Sequence, residues 1–160
     1  LLTPYSWSFD STLNAYTFRI KDGTKYHIVF YETGDAYFAA YPTIKKLLYE
    51  ISFSPDARYR GQDNRISITI VDIVQAILRS GKIIMFVCDS ADRKEKGRHK
   101  LFGTWFEKYG DGFEKYDNEI LTDECNYYCS LIIDTNHPNR SVILKAFEQA
   151  NDEYSGYKNT

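Results

Sequence analysis

Apolar and polar residues alternate through the first third of the chain. Tyr5, Trp7 and Phe9 set one alternation, and Tyr16, Phe18 and Ile20 followed by Tyr26, Ile28 and Phe30 set two more around Lys21-Asp22-Gly23-Thr24. A period of two puts one side of each segment against a core, and Asp-Gly supplies the turn, so residues 15–31 are predicted to be a hairpin. Gly34-Asp35 breaks the pattern, after which Ala36 to Tyr41 and Ile44 to Phe53 are read as two further strands. The expectation is an N-terminal antiparallel meander of about four or five strands.

The period changes after the polar loop 54–65 (SPDARYRGQDNR). Ile66, Ile70, Ile73, Val74, Ile77 and Leu78 recur at helical spacing, with Ser67 or Thr69 as candidate N-cap and Gly81 as stop. The run 82–88 (KIIMFVC) is apolar throughout, which suits a central strand buried on both faces. A second helix is expected over 91–109, strands over 113–121 and 126–134, and a last helix from near Pro138 with Val142, Ile143, Ala146, Phe147 and Ala150 inward. No internal repeat is visible. The fold class is therefore α+β, one domain over 1–160, a mixed or antiparallel sheet with about three packed helices.

Composition narrows the class without naming a role. Fourteen Tyr and ten Phe are the setting of sheet packing first. A net charge of −2 gives no global attraction to nucleic acid or anionic lipid, so any such binding has to be local. Cys88, Cys125 and Cys129 are odd in number and lie in or beside apolar stretches, as reduced buried thiols do, which favours a cytoplasmic home. No run reaches membrane-spanning length, and the opening LLTPYSW lacks the features of a signal peptide, so no membrane partner is expected.

One segment departs from this plain picture. Between Arg93 and Lys100 five cations, Arg93, Lys94, Lys96, Arg98 and Lys100, face only Glu95, a formal +4. Cations at a helix start oppose the macrodipole by about 0.3–1 kcal/mol, although Asp89 and Asp92 just upstream offset this. A bound anion would offset it as well. A solvated face with Arg98 paired to Asp89 is the plainer account, and charge runs most often mean that. On a helical net Lys94, Arg98, Leu101 and Trp105 share a face, which sets Arg98 beside the aromatic packing of Phe102 and Trp105.

Cys88-Asp89 followed by Arg93-x4-Arg98-x3-Phe102-x2-Trp105-Phe106, after a Tyr/Phe-rich meander, resembles a family of short uncharacterised proteins found mainly in Bacteroidetes. The resemblance implies a bacterial, stand-alone, intracellular domain. It carries no activity, and it points to the Arg/Phe/Trp helix without a role.

Enzyme motifs fit less well. Lys94-Glu95-Lys96-Gly97-Arg98-His99 is similar to the pyrophosphate loop of GNAT acetyltransferases, but His99 stands where Gly or Ala is needed, and helix 66–80 intrudes before the strand. Arg93-x5-His99 has the spacing of HEPN ribonucleases, which are all-helical. Cys125-x3-Cys129 with His99, His137 or Cys88 makes a poor metal set, because the thiols sit in a strand pattern. His27 is one side of a strand, and Asn136 or His137 is a helix cap more economically than a catalyst. No cofactor, metal site or catalytic residue is assigned.

The expectation is a non-catalytic binding or accessory domain that uses helix 91–106 for an anionic partner, nucleic acid or an acidic protein surface. Arg58, Arg60 and Arg65 would add charge and Tyr59 a stacking surface. The acidic C-terminal part, with Glu148, Asp152 and Glu153, offers self-association as another use of the basic helix. An acetyltransferase-like or nuclease-like enzyme is the alternative.

Overall fold

The computed structural model describes residues 2–57, 61, 63–89, 103–121 and 126–156. Seven strands form one mixed sheet in the order β1-β2-β3-β4-β5-β7-β6. The meander runs through β1 (Trp7–Asp10), β2 (Ala15–Arg19), β3 (Lys25–Glu32) and β4 (Leu48–Pro55), each antiparallel to the one before. Helix α3 (Asn64–Arg79) carries the chain back, so β5 (Ile83–Asp89) pairs parallel to β4. The hairpin of β6 (Phe113–Leu121) and β7 (Asn126–Asp134) then folds so that β7 lies beside β5 and β6 forms the edge. Both strands span the residues expected from the sequence.

The parallel pair is short. Leu48, Tyr49 and Glu50 pair with Ile83, Ile84 and Met85, and beyond them no ladder joins the two strands. Each strand continues on its outer side: β4 pairs with β3 as far as Pro55, and β5 pairs with β7 as far as Asp89. The carboxyl-terminal halves of β4 and β5 therefore share no ladder with each other.

Two cores sandwich the sheet. On one face Ile70, Ile73, Val74 and Leu78 of α3 pack on Phe18, Ile28, Ile84, Phe86 and Ile132, joined by Trp105 and Phe106 of the helical residues 103–109 (α4). On the other face α1 (Gly34–Tyr37), α2 (Pro42–Lys45) and α5 (Arg140–Gly156) cover Leu48, Ile83, Met85, Leu131 and Ile133 with Phe38, Ile44, Ile143 and Phe147. Strand β5 feeds both cores, Ile84 and Phe86 one way and Ile83 and Met85 the other, which is why its sequence is apolar without alternation.

Residues 36–41, expected as a strand, are helical or turn-like instead, and β4 begins at Leu48 rather than Ile44. Both flanks of β3 are already taken by β2 and β4, so a strand here would have no ladder to join. The backbone closes local bonds instead, with the Phe38 N–H donating to the Gly34 carbonyl at 2.7 Å. Gly34 has to be glycine, because a Cβ there would stand 1.7 Å from the Lys45 carbonyl oxygen. Helix α3 starts two residues earlier than predicted, and its N-cap is Asp63. Ser67 and Thr69 donate back to the carbonyls of Asn64 and Arg65, at 3.0 and 2.6 Å, so they are interior hydroxyls. Gly81, at φ +94°, is the stop that was expected. In α5 Ile143, Ala146, Phe147 and Ala150 are buried, but Val142 is exposed. No described helix is long and apolar enough to cross a membrane.

Candidate functional site

Because β4 and β5 run parallel, the chain leaves Pro55 and Asp89 at the same end of the sheet. The segments that follow in sequence both begin there, one with Arg58 and Arg60, the other with the basic run. Arg93, Lys94, Lys96, Arg98, Lys100 and Phe102 lie outside the described residues, as do His99, Tyr59, Arg58 and Arg60. Asp89 ends β5 with its backbone opposite Tyr127. Trp105 is half-buried on α4, where its ring lies 6.0 Å from that of Phe53. It thereby reaches from α4 to the carboxyl-terminal half of β4. Below it Val74, Leu78, Phe86, Phe113 and Ile132 line an apolar hollow of about 50 Å³.

The start of α3 borders this end of the sheet and is already furnished with a carboxylate. Asp63 accepts the Arg65 N–H at 2.9 Å and also accepts a hydrogen bond from the Tyr5 hydroxyl. The Arg65 guanidinium lies 3.8 Å over the Tyr5 ring and donates to the Thr3 and Pro4 carbonyls. Tyr5 in turn donates its backbone N–H to Thr69 Oγ1 at 2.9 Å. Burial first, and then the bond to Asp63, raises the Tyr5 hydroxyl above its ordinary range, so it stays a donor. Arg65, expected in a basic loop, is committed to this N-terminal tie. Alternation revealed Tyr5 as an apolar position; its partnership with Asp63 arises only when β1 is laid beside α3.

A second polar group docks α5 on the opposite face. Arg140 Nε donates to Glu114 at 2.7 Å and its Nη2 to the Tyr116 hydroxyl at 3.1 Å, while that hydroxyl donates to Glu114 at 2.8 Å. The Arg140 bond holds the Glu114 carboxyl below its usual range, and the carboxylate in turn raises Tyr116. His137 is buried and caps the approach to α5: Nδ1 accepts the Asn139 N–H at 3.0 Å, and Nε2 meets the Gly81 carbonyl oxygen at 2.8 Å. His137 therefore fastens the turn that precedes α5, not the helix start itself, and adds a tie to the end of α3. Cys129 is buried in β7, outside any disulfide. Among the described residues no three His, Cys, Asp or Glu side chains group as metal ligands.

A family model described as a family of unknown function (DUF6169) matches residues 62–149. No curated protein matches the chain. Among solved structures the chain is similar to a CoA-dependent acyl-homoserine lactone synthase, MesI, at 14% identity over 92% of this chain and 71% of that one, with a TM-score of 0.42. An uncharacterised protein from Bacillus halodurans is similar at 15% identity over 93% and 68%, with a TM-score of 0.43.

Proposed function

The chain belongs to the DUF6169 family, whose function is unknown, and from that premise we propose that it is a non-catalytic binding domain for the phosphate backbone of a single-stranded nucleic acid. The strand would lie across the carboxyl end of β4 and β5, with Arg93, Lys94, Lys96, Arg98 and Lys100 of one following segment and Arg58 and Arg60 of the other as the candidate phosphate partners. The observation that supports this reading is the parallel β4–β5 pair, from which both basic segments set out at one sheet end. Carboxyl ends of parallel strands are where open sheets take ligands, and cations there add affinity without sequence preference.

The unpaired carboxyl-terminal halves of the parallel β4 and β5 favour a second reading, a coenzyme A-type ligand of an acetyltransferase-like enzyme. An extended molecule fits between strands that share no ladder, and its pyrophosphate would need free N–H groups at a helix start. Asp63 occupies the start of α3, so this reading has to place the pyrophosphate on the 93–100 segment.

Titration of a labelled oligothymidylate and, separately, of coenzyme A distinguishes the two. The nucleic-acid reading expects oligonucleotide affinity to fall by at least about tenfold between low and moderate salt, and further with Arg93→Ala and Lys96→Ala. Saturable coenzyme A binding without oligonucleotide binding selects the second reading. Binding of neither overturns both.

A further inference from the structure

A second hollow lies on the same face of the sheet, on the meander side of α3. It is a cleft of about 440 Å³ between β1–β4, Ile77 of α3 and Lys82, inside the 300–1,000 Å³ range of small-ligand sites. Its wall is aromatic: the Phe9 and Tyr16 rings are 5.0 Å apart and Tyr16 and Phe30 5.8 Å apart. Phe9 and Tyr31 leave half their surface to solvent, 50% and 54%, at its rim. Exposed rings gathered around a concavity mark binding surfaces more often than rings scattered singly do.

Two opposite charges line the same cleft. Glu32 ends β3 opposite Tyr49 in the register, and Lys82 Nζ stands 5.3 Å from the centroid of that Tyr49 ring. Neither forms an ion pair with the other or with any described side chain. An ammonium and a carboxylate that share a cleft without meeting leave two charges for a ligand to answer. A purely cationic guest would face Lys82 and a purely anionic one Glu32, whereas a zwitterion answers both. The wall of tilted and edge-to-face rings supplies the place for a further ring.

We infer that this cleft is a receptor site for an aromatic α-amino acid, its carboxylate on Lys82, its ammonium on Glu32 and its ring against Tyr16 and Phe30. The site stands apart from the carboxyl end of β4 and β5 and does not depend on it.

The probes are L-phenylalanine, phenethylamine, 3-phenylpropionate and L-alanine, followed by backbone amide shifts or calorimetry on the full chain. Phenylalanine is expected to saturate the site, with shifts centred on Phe9, Tyr16, Phe30, Glu32, Tyr49 and Lys82, and each of the other probes to bind about tenfold more weakly or worse. Lys82→Met should erase the advantage over phenethylamine, and Glu32→Gln the advantage over phenylpropionate. Both variants keep wild-type oligonucleotide binding, which separates this site from the one proposed above. No saturation by about 10 mM phenylalanine, several-fold above a millimolar dissociation constant, overturns the inference. Equal binding of all four probes, or variants that fold normally and leave the preferences unchanged, overturn it too.

Discussion

Helix α3 separates two hollows that are alike in their rings and opposite in their chemistry. Under Trp105 the space is about 50 Å³ and the walls are Val74, Leu78, Phe86, Phe113 and Ile132. The one amide there, Gln75, already donates to the Tyr109 carbonyl at 2.8 Å. Across the helix the space is about 440 Å³, and Glu32 and Lys82 line it outside any ion pair with a described side chain. A hollow with no polar group to spare orients nothing, so the first is a looseness of packing; a hollow with two charges outside any described ion pair can select. Rings alone do not tell a core from a receptor, whereas the state of the nearby polar groups does.

Three substitutions press on this contrast. Phe86→Ala, at a position only 8% exposed in the tight hollow, should cost about 3–5 kcal/mol in denaturant unfolding, because the deleted ring leaves a void that the sheet and α3 do not close. A loss under about 1 kcal/mol would show that this hollow is as open to water as its neighbour. Val74→Ile adds one methylene to the space already there and keeps the branched β-carbon, so it should stabilise by up to about 0.8 kcal/mol. Clear destabilisation would mean that the space is not available to a methyl group.

Glu114→Gln tests a charge that is already answered, the counterpart of those in the open cleft. The folded carboxyl sits below its ordinary value of 4.5, so its contribution is complete above that value and is lost as pH falls through the lower, folded one. The substitution should therefore cost about 0.5 kcal/mol near neutral pH and converge on the wild type in acid. A cost that stays constant down to pH 2 would assign the effect to shape rather than charge.

What the sequence made legible follows from how local the signal is. The apolar run 82–88 and the strand-like segments 113–121 and 126–134 each carry a local signal, and their strands stand where that signal places them. The stripe from Ile66 to Leu78 located α3, but its cap did not follow, because Ser67, Thr69 and Asp63 are all good capping types and only the Tyr5 hydroxyl and the Arg65 N–H distinguish Asp63. Residues 36–41 misled because Tyr37, Phe38 and Tyr41 are strand-like in type, while the constraint that makes them turn is the approach of Gly34 to Lys45. The open cleft left no trace at all: Glu32 and Lys82 are fifty residues apart and come together only through the β3–β4 register and the turn that ends α3.

The N-terminal tie has a kinetic side. Tyr5 reaches Asp63 and Thr69 across 58 and 64 residues, and the Trp7 indole N–H reaches Asp72 across 65. Contacts that span so much chain carry a large loop-closure entropy and are expected to close after the meander and α3 have found each other. Their strength is thus felt on the way out of the native state rather than on the way in. The first residues act as a latch that governs how long the fold persists once made.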